Sequence, residues 1–330
     1  MKRNITGKKN GVGNGNLFKQ NSFRVLAVII IMCLMLGLVW NASSCKDSNE
    51  EFNDEISQQD NASGYSVDNK DMLRLVITAD DCKSGDLILV NKDNPYEDTP
   101  ENLVSVLEHS NKTYTVSDYN VKLNSRVCEA LNSWLGEFYR EYGETDLLVA
   151  SGYRSVDTQE SIYEDDVSKR GQEVTDKWIA VPGTSEHHTG LAVDMSIYNT
   201  DNKISEEFDG EGIYKNLLET CDEYGFIVRY PEDKTEITGI DYEPWHFRYV
   251  GKGHASYIIE NNLCLEEYIE LLKNHTYQNP LTFEYDSTSY DVFWFNEDEI
   301  PYTAFIPDGY QYNISSDNCG GVIVTYFKKN

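Results

Sequence analysis

Basic side chains are scarce in this sequence. Its 330 residues hold 28 Lys and Arg against 56 Asp and Glu, which gives a formal net charge of -28. Residues 1–45 carry six of the basic side chains and no acidic one, so the remainder of the chain is more acidic still. Because a protein binds a phosphate backbone through clusters of Lys and Arg, this balance excludes nucleic acid as a partner of the acidic part.

Closely spaced cysteine pairs and internal repeats are absent as well. The seven cysteines are scattered, and no C-x-x-C motif occurs among them. A zinc site built from cysteines is therefore not indicated. An exported protein can form disulfides, but these positions fix no pairing, and we expect most of these side chains to be small buried apolar groups.

The sequence also lacks a long apolar run of full membrane-spanning length. The uncharged apolar residues 25–40 number 16, which as a helix would span about 24 Å of a bilayer core about 30 Å thick. Basic residues precede this run and an acidic, polar stretch follows it. We predict a basic cytoplasmic segment at residues 1–24, a transmembrane signal anchor at 25–41 and an acidic disordered tether at 42–71. Cys45 follows Ala42-Ser-Ser, which resembles a lipoprotein processing site, so lipidation there stays open as an alternative.

The charge pattern also predicts where the protein works. Positive charge precedes the apolar run, which places the N-terminus in the cytoplasm and everything after the run outside. We therefore expect a single-pass protein of the cell membrane with an extracytoplasmic catalytic domain.

Apolar patterning predicts that residues 72–275 form this catalytic domain. Short β-branched runs predict strands at 73–77, 87–90, 147–150, 226–228 and 247–250. Helical spacing of apolar residues predicts helices at 125–142, ended by Gly143, at 214–224, ended by Gly225, and at 265–273. The expected fold class is α+β, an antiparallel sheet with helices packed around it.

The composition changes after the last of these helices. Residues 276–330 are rich in Tyr, Phe, Asn, Asp and Thr, with strand patterns at 292–295, 302–306 and 322–327 separated by turn residues. We predict a small C-terminal β appendage.

Two short clusters of residues indicate the chemistry. His187 and Asp194 lie in Ser-Glu-His-His-Thr-Gly-Leu-Ala-Val-Asp, and His246 ends Tyr-Glu-Pro-Trp-His. Two imidazoles and one carboxylate can hold a catalytic zinc with its fourth position open. Glu243, three residues before His246, can serve as the general base. The sequence therefore predicts a zinc hydrolase.

The same residues carry a family resemblance. The pattern from Ser185 to Asp194, followed by Glu243-x-x-His246, resembles that of the zinc D-alanyl-D-alanine carboxypeptidases of the VanY type, which trim bacterial cell-wall peptides. Further matches run in the family's order through Leu87-Ile-Leu-Val-Asn, Ser151-Gly-Tyr-Arg-Ser and Gly225-Phe-Ile-Val-Arg-Tyr-Pro to Gly251. The resemblance covers about half of the chain and implies the Hedgehog/DD-peptidase-like zinc fold.

The resemblance also implies the roles of individual residues. It implies Zn2+ as the cofactor, with His187, Asp194 and His246 as ligands and Glu243 as the base. His187 is selected over its neighbour because the family pattern places the ligand seven residues before the aspartate. The residues that match substrate-pocket positions are Arg154, Gln159, Ser185 and Tyr230.

Other polar residues near these motifs receive lesser roles. We expect His188 to face solvent or substrate, and Trp245 to pack under the site. His109, His254 and His275 lie outside the motifs and are expected at the surface. Residues expected to support the ligands from behind or to form salt bridges are Glu186, Arg229 and Arg248.

The expected partners are peptidoglycan stem peptides or muramyl peptide precursors, and the expected source is a bacterium of the Gram-positive kind. The leading function is removal of the terminal D-alanine. One alternative is an L,D-carboxypeptidase that acts on the tetrapeptide, since the metal core would be the same. An endopeptidase is less favoured because of the N-terminal anchor. A further alternative, from a different functional class, is a non-catalytic wall-binding or sensor protein. The motifs argue against it, because they keep all three ligands and the base.

Overall fold

The computed structural model describes residues 72–143, 146–199 and 204–329. The predicted cytoplasmic segment, signal anchor and tether, with Cys45, lie outside these ranges. Within the three ranges, the helices are too short or too polar to span a bilayer.

The elements occur in the following order. The first half has strands β1 (Met72–Ile77), β2 (Leu103–Ser105), β3 (Thr115–Val116), β4 (Lys122–Asn124) and β5 (Leu147–Ser151), and helices α1 (Val106–His109), α2 (Ser125–Tyr142), α3 (Val156–Arg170) and α4 (Gln172–Thr175). The middle has strands β6 (Ala192–Asn199), β7 (Ile204–Glu207), β8 (Phe226–Val228) and β9 (His246–Tyr249), and helices α5 (Lys215–Thr220), α6 (Thr235–Thr238), α7 (Lys252–Glu260) and α8 (Leu265–Leu272). The last part has strands β10 (Leu281–Tyr285), β11 (Thr288–Asn296), β12 (Tyr302–Pro307), β13 (Gln311–Ser316) and β14 (Gly321–Lys329).

Helix α2 has the bounds that the sequence predicts. The side chain of Asn124 accepts a hydrogen bond from the backbone N–H of Arg126 and caps the helix. Gly143 ends it in the left-handed conformation, with φ of 66°. Its apolar stripe packs on the central sheet, where Trp134 stacks on Phe226 with 5.1 Å between ring centroids.

The central sheet holds six strands in the order β3-β5-β6-β9-β8, with β7 paired to β6. The pair β3 and β5 is parallel and the other pairs are antiparallel. The predicted α+β class with a mainly antiparallel sheet is therefore confirmed. The register matters for function, because Asp194 on β6 lies opposite His246 on β9.

The C-terminal strands form a second sheet, in the order β10-β11-β14-β13. Strand β12 does not join it and pairs antiparallel with β1 instead. Leu75 and Ile77 of β1 pack in one apolar cluster with Phe293 and Val324 of this sheet. The division of the chain at residue 275 stays a prediction.

The prediction of a strand at 87–90 is wrong, but the segment is buried as its apolar sequence indicates. Leu87, Ile88 and Val90 are buried, yet the segment joins no sheet. Its backbone groups pair elsewhere: the N–H of Leu89 donates to the carbonyl of Asp317, and the carbonyl of Ile88 accepts from a guanidinium. A buried apolar run predicts burial, but its hydrogen-bond partners come from distant residues that the run does not reveal.

Five cysteines lie in the described ranges, and all five are free thiols. Cys128, Cys221 and Cys264 are buried, as expected of small apolar side chains. The other two, Cys82 and Cys319, are partly exposed.

Candidate metal centre

A tight turn and a strand bring His187 and Asp194 together. The turn Glu186–Thr189 is a 3-10 helix that begins after Ser185, whose hydroxyl accepts from the N–H of His187. It ends at Gly190, which has φ of 70° and lies so close to the Leu103 side chain that an added Cβ would collide with it. The chain then enters β6, in which Asp194 is the third residue.

The third ligand candidate comes from the neighbouring strand. His246 opens β9 and lies opposite Asp194, with its Nδ1 3.0 Å from Oδ1 of Asp194. Nε2 of His187 lies 3.1 Å from Oδ2 of the same carboxylate. One ligand atom from each of the three residues lies within 4.8 Å of the others, so one metal ion could contact all three.

Unsatisfied polar atoms test whether a metal ion fits here. Nε2 of His187 and Oδ1 of Asp194 are buried and make no hydrogen bond with the described residues. The other nitrogen of His187, Nδ1, lies 2.6 Å from the carbonyl of Gly152, which fixes the ring with Nε2 toward the carboxylate. Buried atoms of this kind are costly unless something pairs with them. The donor set, two imidazoles and a carboxylate, fits zinc.

The two imidazoles have opposite pKa shifts. Burial, and then the charge of Arg154, lower the pKa of His187 to about 4, so it is neutral as a metal ligand must be. Burial also acts to lower the pKa of His246, but the carboxylates of Asp194 and Glu186 outweigh it and raise the pKa to about 9. The field at His246 therefore favours positive charge, as it would favour a divalent cation.

Glu243 lies beside the three ligand candidates and is 5% exposed. Its Oε2 is 3.7 Å from Nδ1 of His246. Burial raises the pKa of Glu243 to about 8, with His246 opposing the shift and Asp194 adding to it. The turn from Glu243 to His246 is closed by a backbone hydrogen bond of 3.2 Å, and Pro244 is inside it. A carboxyl group that titrates near neutral pH is suited to taking up and returning a proton.

The predicted substrate residues line the same cleft, a cavity of about 550 Å³. Arg154 donates from Nη1 to Oε1 of Gln159 at 3.0 Å and from Nη2 to Oδ2 of Asp194 at 3.2 Å. The cleft is also lined by Ser185 and by Tyr230, whose ring centroid is 4.9 Å from that of His246. Burial, and then Glu186, raise the pKa of Tyr230 well above its ordinary value, so its hydroxyl keeps its proton. The cleft therefore presents several hydrogen-bond donors beside the three ligand candidates.

Sequence reasoning missed part of the cleft wall. Trp178 lines it and stacks on Trp245, with ring centroids 6.1 Å apart and planes 16° from parallel. Trp178 follows the short helix α4 in a segment without periodicity, so no pattern marked it. Trp245 was expected under the site and lies in its wall instead. The remaining cleft residues that the sequence did not indicate are Ile162, Arg170, Ile179, Ala180, Glu207 and Ile240.

Two histidines occupy positions other than those expected. His188, expected to face solvent or substrate, is buried and does not line the cleft. Its Nδ1 is 2.8 Å from the carbonyl of Arg154, and its Nε2 accepts from the N–H of Gly183. It thereby braces the loop that holds Arg154. His254, expected at the surface, is buried between Tyr268 and Thr325. Adjacent or isolated histidines carry no sequence signal that distinguishes these environments.

Comparisons with known proteins agree with this geometry. A family model, VanY, D-alanyl-D-alanine carboxypeptidase, matches residues 120–252. A D-alanyl-D-alanine carboxypeptidase of Enterococcus faecium is 32% identical over 255 residues, which are 76% of this chain and 78% of that protein. The bifunctional D-Ala-D-Ala dipeptidase and D-Ala-D-Ala carboxypeptidase VanXYC of Enterococcus gallinarum is 37% identical over 189 residues, which are 56% of this chain and 94% of the relative.

A solved structure matches as well. The vancomycin resistance D,D-dipeptidase VanXYg, in complex with a D-Ala-D-Ala phosphinate analogue, has a TM-score of 0.69 and 31% identity, with 78% of this chain and 99% of that chain covered. This match confirms the fold that the sequence resemblance implied. The region that the family model matches contains every predicted site residue from Arg154 to His246.

Proposed function

The chain belongs to the VanY family of D-alanyl-D-alanine carboxypeptidases, and from this premise we propose which residues perform the reaction. The protein is a zinc-dependent peptidase that removes the terminal D-alanine from peptidoglycan stem peptides. One observation carries the assignment of roles: three convergent ligand atoms and the buried carboxyl group of Glu243 share a cleft with Arg154.

The proposed zinc ligands are His187 through Nε2, Asp194 through its carboxylate and His246 through Nδ1, the atoms that face one another. The chemistry that zinc supplies when bound is Lewis acidity, which acidifies the attacking water and polarises the scissile carbonyl. The chain's contribution is to hold the three donors in place. Asp194 and His246 sit on paired strands, and the His187 ring is held by the Gly152 carbonyl.

Glu243 is the proposed general base. Its carboxylate takes a proton from the attacking water and returns the proton to the leaving amine of D-alanine. Its raised pKa of about 8 makes the ionised carboxylate a stronger base than an ordinary glutamate, and a pKa near the working pH lets the group both take up and release the proton. The turn that contains Pro244 keeps the carboxylate near His246 during both transfers.

Arg154 is the proposed recognition residue. A guanidinium fork can donate two hydrogen bonds to the free carboxylate that an exopeptidase must recognise, or to the carbonyl beside the bond that is cleaved. Gln159 and Asp194 hold the fork from within the cleft. Ser185 and Tyr230 are proposed to complete the polar side, while Trp178 and Trp245 supply the apolar side.

The two alternative functions, an L,D-carboxypeptidase and a non-catalytic wall-binding protein, have less support. The relatives reported above are named D-alanyl-D-alanine carboxypeptidases, which does not favour the L,D-specific reading. A non-catalytic wall-binding role would not require the base and three ligand candidates to converge, and they do.

Membrane attachment is a further part of the proposal. It is supported by the basic residues before the apolar run at 25–40 and by the acidic stretch after it. In this arrangement the catalytic part lies outside the cell membrane, where its substrate is. Protease treatment of intact cells tests it: the catalytic part should be digested from outside while a tag placed before residue 25 survives.

Metal analysis tests the proposed ligands. The purified protein should hold one zinc per chain, and His246→Ala should lose most of it while Glu243→Gln retains it. Zinc retained by His246→Ala at the wild-type level would contradict the ligand assignment.

A further inference from the structure

Behind the metal centre lies a buried carboxylate, Glu186, between two buried arginines. Its Oε1 accepts hydrogen bonds from Nε of Arg229 at 2.7 Å and from Nη1 of Arg248 at 2.6 Å. Glu186 is 1% exposed and both arginines are fully buried. Burying three charges is costly, so this arrangement is poor evidence for stability and calls for another role.

The two arginines are themselves held in place from outside this group. Arg248 donates from Nη2 to the carbonyls of Asp86 and Ile88, in the buried segment that was expected to be a strand. Arg229 donates from both Nη atoms to Glu266, which lies in the first turn of helix α8. Glu186 therefore has a fixed position.

The second oxygen of Glu186 faces the metal centre. Oε2 accepts no hydrogen bond from the described residues and lies 3.7 Å from Nε2 of His246, which likewise has no hydrogen-bond partner. This distance is longer than a hydrogen bond but within the range of an ion pair. The other nitrogen of the ring, Nδ1, faces Asp194 at 3.0 Å. His246 thus lies between two carboxylates, one on each ring nitrogen.

His187 has a comparable arrangement, with a shorter contact to a backbone carbonyl behind the ring. Its Nδ1 lies 2.6 Å from the carbonyl of Gly152, and its Nε2 faces Asp194. Each proposed ligand imidazole therefore has an acceptor behind it. Such an acceptor fixes the tautomer and raises the basicity of the nitrogen that binds the metal.

We propose that Glu186 is the positioning residue of His246: the negative charge of its Oε2 favours the proton on the facing Nε2, which leaves the Nδ1 lone pair for the metal. This inference rests on the proposed function, because it takes His246 as a zinc ligand. Glu186 touches neither substrate nor the reacting atoms and acts through His246. Its charge also matters, since without it Arg229 and Arg248 would leave uncompensated positive charge behind a ligand of a cation.

Zinc affinity tests the proposal, with activity as a second readout. In competition with a chromogenic chelator, Glu186→Gln should bind zinc about 10- to 100-fold more weakly than the wild type and release it faster. The matched control is Glu266→Gln, which removes a carboxylate from the same arginine without touching His246. The control should bind zinc within about twofold of the wild type, even where its melting temperature falls. Equal affinity of Glu186→Gln and wild type, or equal losses in the two variants, would overturn the proposal.

NMR of the wild-type protein provides a second test, which does not require that the variants fold. In zinc-loaded full-length protein labelled with 15N-histidine, the Nε2 of His246 should carry the proton and Nδ1 the metal. The opposite tautomer would overturn the role of Glu186. If the wild type binds no zinc at all, the proposed function fails first. If it binds zinc and cleaves peptide but shows the opposite tautomer, only this inference fails.

Discussion

Arg154 and Asp194 are joined by a hydrogen bond, from Nη2 of the guanidinium to Oδ2 of the carboxylate, of 3.2 Å. The proposed recognition residue is therefore hydrogen-bonded directly to a proposed metal ligand. Nη1 is held by Gln159, and Nε is buried without a hydrogen-bond partner among the described residues. The fork is thus oriented before substrate arrives, which lowers the entropy lost on binding.

Arg154→Lys should lower kcat/KM by about 10- to 100-fold, because a lysine keeps the charge but cannot donate two parallel hydrogen bonds. Steady-state assay of D-alanine release measures the effect. Arg140→Lys, on the exposed part of α2, is the matched control and should behave as the wild type. An unchanged kcat/KM for Arg154→Lys would remove this residue from substrate recognition.

Glu243→Gln should lower kcat by about 10²- to 10⁴-fold, the contribution typical of a positioned acid or base. The amide keeps the size of the side chain but cannot accept the proton. The assay should be run on protein of equal zinc content, with the exposed Glu236→Gln as the control. Activity within a few-fold of wild type would assign the proton transfer to another group.

Trp178→Ala should raise KM for a pentapeptide by about tenfold while kcat changes little. Its ring stacks on Trp245 in the cleft wall and carries no group that acts in the proposed reaction, so it should contribute equally to ground-state and transition-state binding. The kinetics of pentapeptide cleavage measure both constants. A fall in kcat at constant KM would mean that the tryptophan pair instead shapes the reacting centre.

The buried His254 should make stability fall at mildly acid pH. Burial lowers its pKa to about 4 from an ordinary value of 6.5, so the unfolded chain binds its proton first as pH falls. The stability that the neutral ring contributes is present above pH 6.5 and is lost as pH falls toward 4, by up to about 3 kcal/mol. The effect follows from burial between Tyr268 and Thr325.

Urea unfolding of zinc-free protein between pH 7 and 4 measures this loss. The difference in unfolding free energy between wild type and His254→Gln should shrink as pH falls, because the glutamine does not titrate. His109→Gln, at an exposed position, is the matched control for the substitution itself. A difference for His254→Gln that does not change with pH would contradict the assignment.

Much of the fold was predictable because local patterns are strong in this chain. Helix α2 has an asparagine cap, an apolar stripe and a terminal glycine, and its observed bounds match the predicted ones. The segment 214–224 is less regular: it forms two 3-10 turns around the short helix α5 and still ends at Gly225. The segment 87–90 failed as a strand because its partners, Asp317 and Arg248, are distant in sequence.

The predicted site residues were found through motif spacing and lie together in one cleft. The positions of residues outside the motifs, and of motif residues without an assigned role, could not be predicted. Trp178 lies on an aperiodic segment, and the burial of His188 depends on the loop of Arg154. Glu186 was expected only as a salt-bridge or supporting residue, and its position behind His246 depends on two strands and a turn meeting in space.

Product analysis tests the central claim most directly. The zinc-loaded protein and its Glu243→Ala variant would be incubated with muramyl pentapeptide and muramyl tetrapeptide, and the products identified by mass spectrometry. We predict that the wild type removes one alanine from the pentapeptide and leaves the tetrapeptide intact, and that the variant changes neither. Loss of alanine from the tetrapeptide alone, or an intact pentapeptide in the presence of bound zinc, would contradict the assignment as a D-alanyl-D-alanine carboxypeptidase.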